Sequence, residues 1–85
     1  MINMEEKIVN LNYLNLVPLG AKCKVVNLTA EGAIRRRFLD LGLINGTEVT
    51  ALAKSPSGDP VAYLIRGAVI ALRSEDASNI KVEII

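Results

Sequence analysis

Side chains able to do covalent or metal chemistry are scarce in this chain. It has no histidine and a single cysteine, Cys23, among its 85 residues. Ser–His and Cys–His nucleophile pairs are therefore excluded. A soft metal would lack the several Cys or His ligands it requires. Cys23 falls in a run where Lys22 and Lys24 alternate with apolar residues, so it reads as a small packed apolar group rather than a reactive thiol. Gly58 and Gly67 lack the lysine and the spacing of a phosphate-binding loop. Glu75-Asp76 could meet a hard cation, but adjacent acids at the start of a helical turn ordinarily serve its positive end. These residues point to no enzyme, no cofactor and no metal site.

What remains is recognition chemistry, and it is concentrated in Arg35-Arg36-Arg37-Phe38-Leu39-Asp40-Leu41-Gly42-Leu43-Ile44-Asn45-Gly46-Thr47. The pattern predicts a helix over residues 30–41, with Thr29 as N-cap and Glu31 in the first turn. Gly32 inside that helix would cost ~1 kcal/mol relative to alanine. Gly42 stands where a left-handed C′ residue is wanted, which brings Leu43 against Phe38 in a Schellman ending. At ~100° per residue, Ile34, Phe38 and Leu41 share one stripe, the expected buried face. Arg36 and Asp40 are spaced for an i, i+4 pair. Arg35 and Arg37 flank the stripe, and Leu39 lies off it. A leucine bracketed by arginines away from its own core suits a contact surface, although single exposed leucines are also ordinary. The arginine triplet spreads over ~200° and cannot make one flat basic face. Plain solvation, docking on an acidic protein surface and anion binding all stay open for it. Residues 55–60 hold Pro56, Gly58 and Pro60. Such a loop is pre-ordered, which lowers the entropy cost of docking, or it is a rigid connector. The candidate partner-binding residues are Arg35, Arg37, Leu39, Leu43, Pro56 and Pro60.

Short strands must position these residues. Residues 14–20 read as a lead-in turn with Leu14, Leu16 and Leu19 facing inward. Residues 21–28 read as a strand whose alternation shifts near Val26, a sign of a bulge. Asn45-Gly46 is a turn. A strand over 47–54 follows, with Val49, Ala51 and Ala53 on one side. Strands over 61–66 and 69–73 flank a turn at Gly67-Ala68. Ser74 is placed to cap a helical turn running through Asn79. Residues 80–84 alternate, with Ile80, Val82 and Ile84 on one face. Five short strands with one helix and one helical turn suit a mainly β chain closed into a small barrel.

Eighty-five residues make one domain. The formal net charge of +1 does not suggest a dedicated polyanion binder. The lack of stacking aromatics argues against nucleic acid. An RNA-binding barrel would show a steep salt dependence. No apolar stretch nears the ~20 residues needed to cross a bilayer. Residues 1–10 lack the basic start, apolar run and cleavage site of a signal peptide. A lone cysteine fits a cytoplasmic location.

The arginine-to-threonine run at 35–47 resembles the signature of the bacterial ferrous iron transport protein A family. So do Ser-Pro-Ser-Gly-Asp-Pro at 55–60, Val-Ala-Tyr-Leu-Ile-Arg-Gly at 61–67, Ala-Leu-Arg-Ser-Glu-Asp-Ala at 71–77 and Leu-Asn-Leu-Val-Pro-Leu-Gly at 14–20. The similarity spans residues 14–82. Asn45 stands where the family commonly has proline before the turn glycine, and Asn-Gly makes the turn by another route. The resemblance implies an SH3-like small β-barrel with a helical insertion over residues 14–85, preceded by an extension over 1–13. It also implies a cytosolic accessory protein that contacts the ferrous iron permease, a membrane protein with a GTP-binding domain, without inserting into the membrane itself. The same module resembles the C-terminal domain of iron-dependent repressors, so a free-standing regulatory module that binds another regulator or a peptide is the alternative. Weak homo-oligomerisation stays open.

Overall fold

The computed structural model describes residues 11–85. Six strands, β1 (Leu11–Tyr13), β2 (Lys22–Leu28), β3 (Glu48–Lys54), β4 (Val61–Ile65), β5 (Ala68–Leu72) and β6 (Ile80–Ile84), are joined with two helices, α1 (Gly32–Asp40) and α2 (Ser74–Ala77). The expected five strands become six because Leu11–Tyr13 pairs antiparallel with β6. The sheet therefore begins before residue 14, and residues 1–10 of the expected extension lie outside the described residues. All ladders are antiparallel, in the order β1-β6-β2-β3-β4-β5. The sheet thus ends at β1 and β5.

Two bulges bend it. One lies between Val25 and Asn27, where the sequence alternation slips. The other lies between Ala51 and Ala53 and was not legible. It explains why Val49 and Ala51 are buried while Ala53, expected beside them, is exposed: one extra residue flips the alternation. The β4–β5 turn is Arg66-Gly67, not Gly67-Ala68. Both of its residues have positive φ, 51° and 84°, which matches the twist of a two-residue hairpin.

The core is aliphatic apart from Phe38 and Tyr63, and is filled by Leu14, Cys23, Val25, Leu43, Val49, Ile65, Ile80 and Val82. In the lead-in segment Leu14 and Val17 point inward. Leu16 and Leu19 do not, because the chain makes a 3₁₀ turn at Leu14–Leu16 that presents only its first residue to the core. Cys23 is wholly buried, with Sγ 3.5 Å from the Val49 carbonyl. Burial pushes its thiol up to about 11, so it stays protonated at neutral pH. Tyr63 is raised as well, first by burial and then by Cys23 and Asp59.

Candidate functional site

The helix that carries the candidate residues is held at its ends rather than along a face. It begins at Gly32, whose φ of +67° makes it the entry residue and not an interior cost. Thr29 is not the N-cap. That place belongs to Glu31, which makes no side-chain cap bond. Thr29 instead donates its hydroxyl to the Asn79 carbonyl and side chain, each at 3.2 Å, tying the end of β2 to the start of β6. The C-terminus follows expectation. Gly42 N–H donates to the Leu39 carbonyl at 3.0 Å and Leu43 N–H to the Phe38 carbonyl at 3.0 Å, the paired bonds of a Schellman ending. Phe38 and Leu43 are both wholly buried. Thr47 Oγ1 then donates to the Gly42 carbonyl at 2.8 Å, and the Ile44–Thr47 turn closes on a 3.0 Å bond.

The expected buried stripe shrinks to one residue. Phe38 is buried, Leu41 is half-buried, and Ile34 is 46% exposed. Because the helix starts two residues later than expected and is short, its first turn rides clear of the sheet. Arg36 and Asp40 do not pair. The ion pair observed among the described residues is Arg37 with Asp76, at 2.9 Å, which links α1 to α2. The Arg37 guanidinium also lies 5.6 Å from the centre of the Phe38 ring. Arg35 Nη1 donates to the Leu28 carbonyl at 3.3 Å, fastening the helix to β2. Two of the three arginines thus have internal partners while much of each side chain faces outward.

Leu39 is 40% exposed and Ile44 is 48% exposed. Leu39 and Arg35 form a ridge between two open depressions. One, of about 230 Å³, lies against β2 and includes Val26, Leu28, Ile44 and Asn45 in its wall. The other, of about 350 Å³, is completed by Gly32, Arg36 and Asp40. Leu43, expected to contribute to the surface, is withdrawn from it: it is 0% exposed and supports the ridge from beneath. Ile44 takes its place. The signal was available, since a Leu43 committed to Phe38 leaves the next residue pointing away.

Pro56 is exposed and Pro60 half-buried. Their loop reaches the helix through an intermediary. Asp59 Oδ1 accepts the Ser74 N–H at 2.8 Å, and Asp76 of the same short helix accepts Arg37. Ser74 is therefore capped and does not cap; the N-cap position of α2 is Arg73. The arrangement offers a mixed apolar and cationic ridge on a braced support. Among the described residues no three His, Cys, Asp or Glu side chains come together to hold a metal, and no helix there is long and apolar enough to cross a membrane.

Comparison with known proteins identifies the architecture. The FeoA domain profile matches residues 13–84. The chain belongs to the FeoA domain family. Over 66 residues the FeoA domain is 36% identical to an Fe(2+) transport protein A/Fe(2+) transporter FeoB fusion protein of Porphyromonas gingivalis, covering 78% of this chain and 8% of the relative. The chain thus spans less than a tenth of that relative's length. The solution structure of a FeoA-like protein from Clostridium acetobutylicum superposes with a TM-score of 0.82 at 37% identity, covering 89% of this chain and 88% of that one. A zinc complex of FeoA from Stenotrophomonas maltophilia, described as an SH3 domain protein, superposes with a TM-score of 0.77 at 32% identity over 85% of this chain and 89% of that one. The FeoA domain here is accordingly SH3-like and mainly β. A manganese-dependent transcriptional repressor shares the fold alone, with a TM-score of 0.78 at 21% identity over 88% of this chain and 42% of the repressor.

Proposed function

We propose that this FeoA domain is a cytoplasmic accessory module of ferrous iron uptake that acts by docking on the membrane iron permease, without chemistry of its own. The observation that carries the reading is the braced ridge of Leu39 and Arg35, with Ile44 in the wall of the adjoining depression; Arg37 stands about 200° round the helix from Leu39, against Asp76. Arginine is enriched in binding hot spots, Leu39 and Ile44 add apolar area beside Arg35, and the internal bonds of Arg35 and Arg37 lower the entropy cost of ordering them. Pro56 and Pro60 are proposed as further contacts, on the loop that Asp59 ties to α2. Family membership supports the iron-uptake context. The fused relative supports the partner: joining two modules in one chain raises their effective concentration without any new contact, which is useful only if they meet.

Leu39→Glu tests the surface. It places a charge at an exposed position, so the fold should persist with a stability change within about 0.5 kcal/mol. Ferrous iron uptake in a strain lacking the native protein should not be restored, and binding to the purified cytosolic part of the permease should weaken at least about tenfold. Full restoration of uptake by the folded variant would rule this surface out. Recovery of a transcription regulator and no permease by the wild-type chain would favour the repressor-like alternative.

A further inference from the structure

We propose that the open depression on the outer face of β2, β3 and β4 binds an α-carboxylate together with the apolar side chain next to it, as offered by the C-terminal residue of a peptide or by a free apolar amino acid. The α1 ridge and its docking play no part in it. The depression has a volume of about 410 Å³, with Lys22, Glu48, Thr50, Leu64 and Arg66 in its wall. Strand register places them. Thr50 stands directly opposite Lys22 on one side and Leu64 on the other. Val49 pairs with Ile65, so Glu48 and Arg66 face one another in the next outward row.

Arg66 is the residue that points to a ligand. It opens the two-residue turn between β4 and β5, a position where positive φ is required and asparagine or glycine is usual. Its φ is 51°, and it is the one non-glycine residue with positive φ among the described residues. Strained backbone of this kind gathers at ligand clamps. The Arg66 stem lies across Gly42, which has no Cβ to obstruct it. Gly42 follows the carbonyl end of α1, where a cation is favoured. The guanidinium is thus set in the wall of the depression before any ligand arrives, which lowers the cost of binding.

Charge and shape select the ligand. Lys22 and Arg66 are two cations against the one carboxylate of Glu48, and neither cation has an ion-pair partner among the described residues. The wall therefore carries one net positive charge. A single carboxylate matches it, and a guanidinium can grip a carboxylate with two parallel bonds. Phosphate brings nearly two negative charges and would turn the excess toward Glu48. An aspartate or glutamate side chain would meet the cations but leave the rest of the wall unserved: Glu48, which accepts an N–H; the Thr50 hydroxyl; and Leu64, 38% exposed. Thr47 is already committed, its hydroxyl donating to the Gly42 carbonyl. An α-carboxylate has a nitrogen donor and an apolar side chain on the neighbouring carbon, so one residue can serve all of these groups. The volume lies in the range of small-ligand sites and far exceeds the need of a lone ion. Capture of a C-terminal carboxylate is a recurring recognition mode.

The test is amide NMR on the whole ¹⁵N-labelled chain at low salt, titrated with acetyl-Ser-Gly-Leu bearing a free carboxylate. Expected are shifts at the Thr50, Leu64 and Gly67 amides and a Kd on the order of 1 mM. The same peptide with an amidated end should bind at least about tenfold more weakly. Arg66→Asn puts the favoured residue in the turn, so Tm should hold or rise while peptide binding falls about fivefold. Lys22→Gln, at an exposed strand position, should weaken binding about two- to fivefold with Tm unchanged, and it carries the test should Arg66→Asn disturb the turn. Free leucine distinguishes the sources: tighter binding of the peptide assigns a chain terminus, and tighter binding of leucine assigns a free amino acid. The proposal is overturned by any of three results: no response of Thr50 and Leu64 to either probe at ~10 mM, equal binding of the amidated peptide, or inorganic phosphate binding more tightly than both probes.

Discussion

Gly42→Ala should destabilise the domain by about 2 kcal/mol, and the cost can be divided. The φ of Gly42 is +94°, and an L-residue in that region pays about 1 kcal/mol or more. The added Cβ would lie 2.2 Å from Arg66 Cδ. That atom belongs to a flexible side chain, which can swing aside at an off-rotamer cost of about 0.5–1.5 kcal/mol. For a domain of this size the sum lowers Tm by roughly 8–16 °C. Gly32→Ala is the control. Its φ is +67° and nothing lies within 4 Å of its Cβ position, so only the backbone part applies. The double variant Gly42→Ala/Arg66→Ala should return the side-chain part and leave the rest. Urea unfolding monitored by circular dichroism gives all four free energies, and an unchanged m-value certifies that the same surface is being exposed. If Gly42→Ala were as stable as the parent, the helix would not end on a left-handed residue, and the placement of Phe38, Leu43 and Arg66 would all fall with it.

Two further outcomes follow from the same structure. A double-mutant cycle over Arg37→Gln and Asp76→Asn should give a coupling of about 0.2–1 kcal/mol, small because the pair is partly solvated, and it should fade in ~1 M salt; a zero coupling at low salt would remove the bridge between α1 and α2. Cys23 makes stability depend on alkaline pH: the unfolded thiol ionises from its ordinary value of 9.0, while the buried one keeps its proton up to about 11. The unfolded state then binds fewer protons, so the contribution is complete below pH 9 and is lost between those values, by up to about 1.4 kcal/mol per pH unit. The difference between the stability curves of the parent and Cys23→Ala isolates it from Tyr63, and a flat difference over that range would mean the thiol is not buried.

The β-sheet was legible where side-chain alternation was intact. Ile80 and Val82 point inward as the pattern says, and the slip near Val26 is a true bulge. The second bulge, at Leu52, gave no sign, because Ala51, Leu52 and Ala53 are all apolar and any register of them looks the same. The strand Leu11–Tyr13 was missed for a related reason: three residues are too few to show a period, and their pairing is set by β6 and not by themselves. Capping failed twice by one rule. Thr29 and Ser74 are good local caps, but Thr29 is drawn to Asn79 and Ser74 is served by Asp59, partners about 50 and 15 residues away that no local pattern reveals.

The helix explains which of the candidate side chains reach the surface. Its C-terminal signature, Phe38 with Gly42 and Leu43, is legible in the sequence, and a Leu43 held in that contact cannot also serve the surface. Taking the Schellman contact as binding puts Leu43 inside and forces Ile44 outside, where it joins Leu39. The amphipathic stripe misled because it assumes a helix lying flat on a core. A nine-residue helix with one buried side chain is instead suspended: Phe38 and Leu43 anchor its end, Arg35 fastens it to β2, and Arg37 fastens it to α2. Such a helix owes its position to four tethers, and none of them is Leu39. Substitutions at Leu39 can therefore alter recognition while leaving the fold nearly untouched, which separates loss of docking from loss of structure.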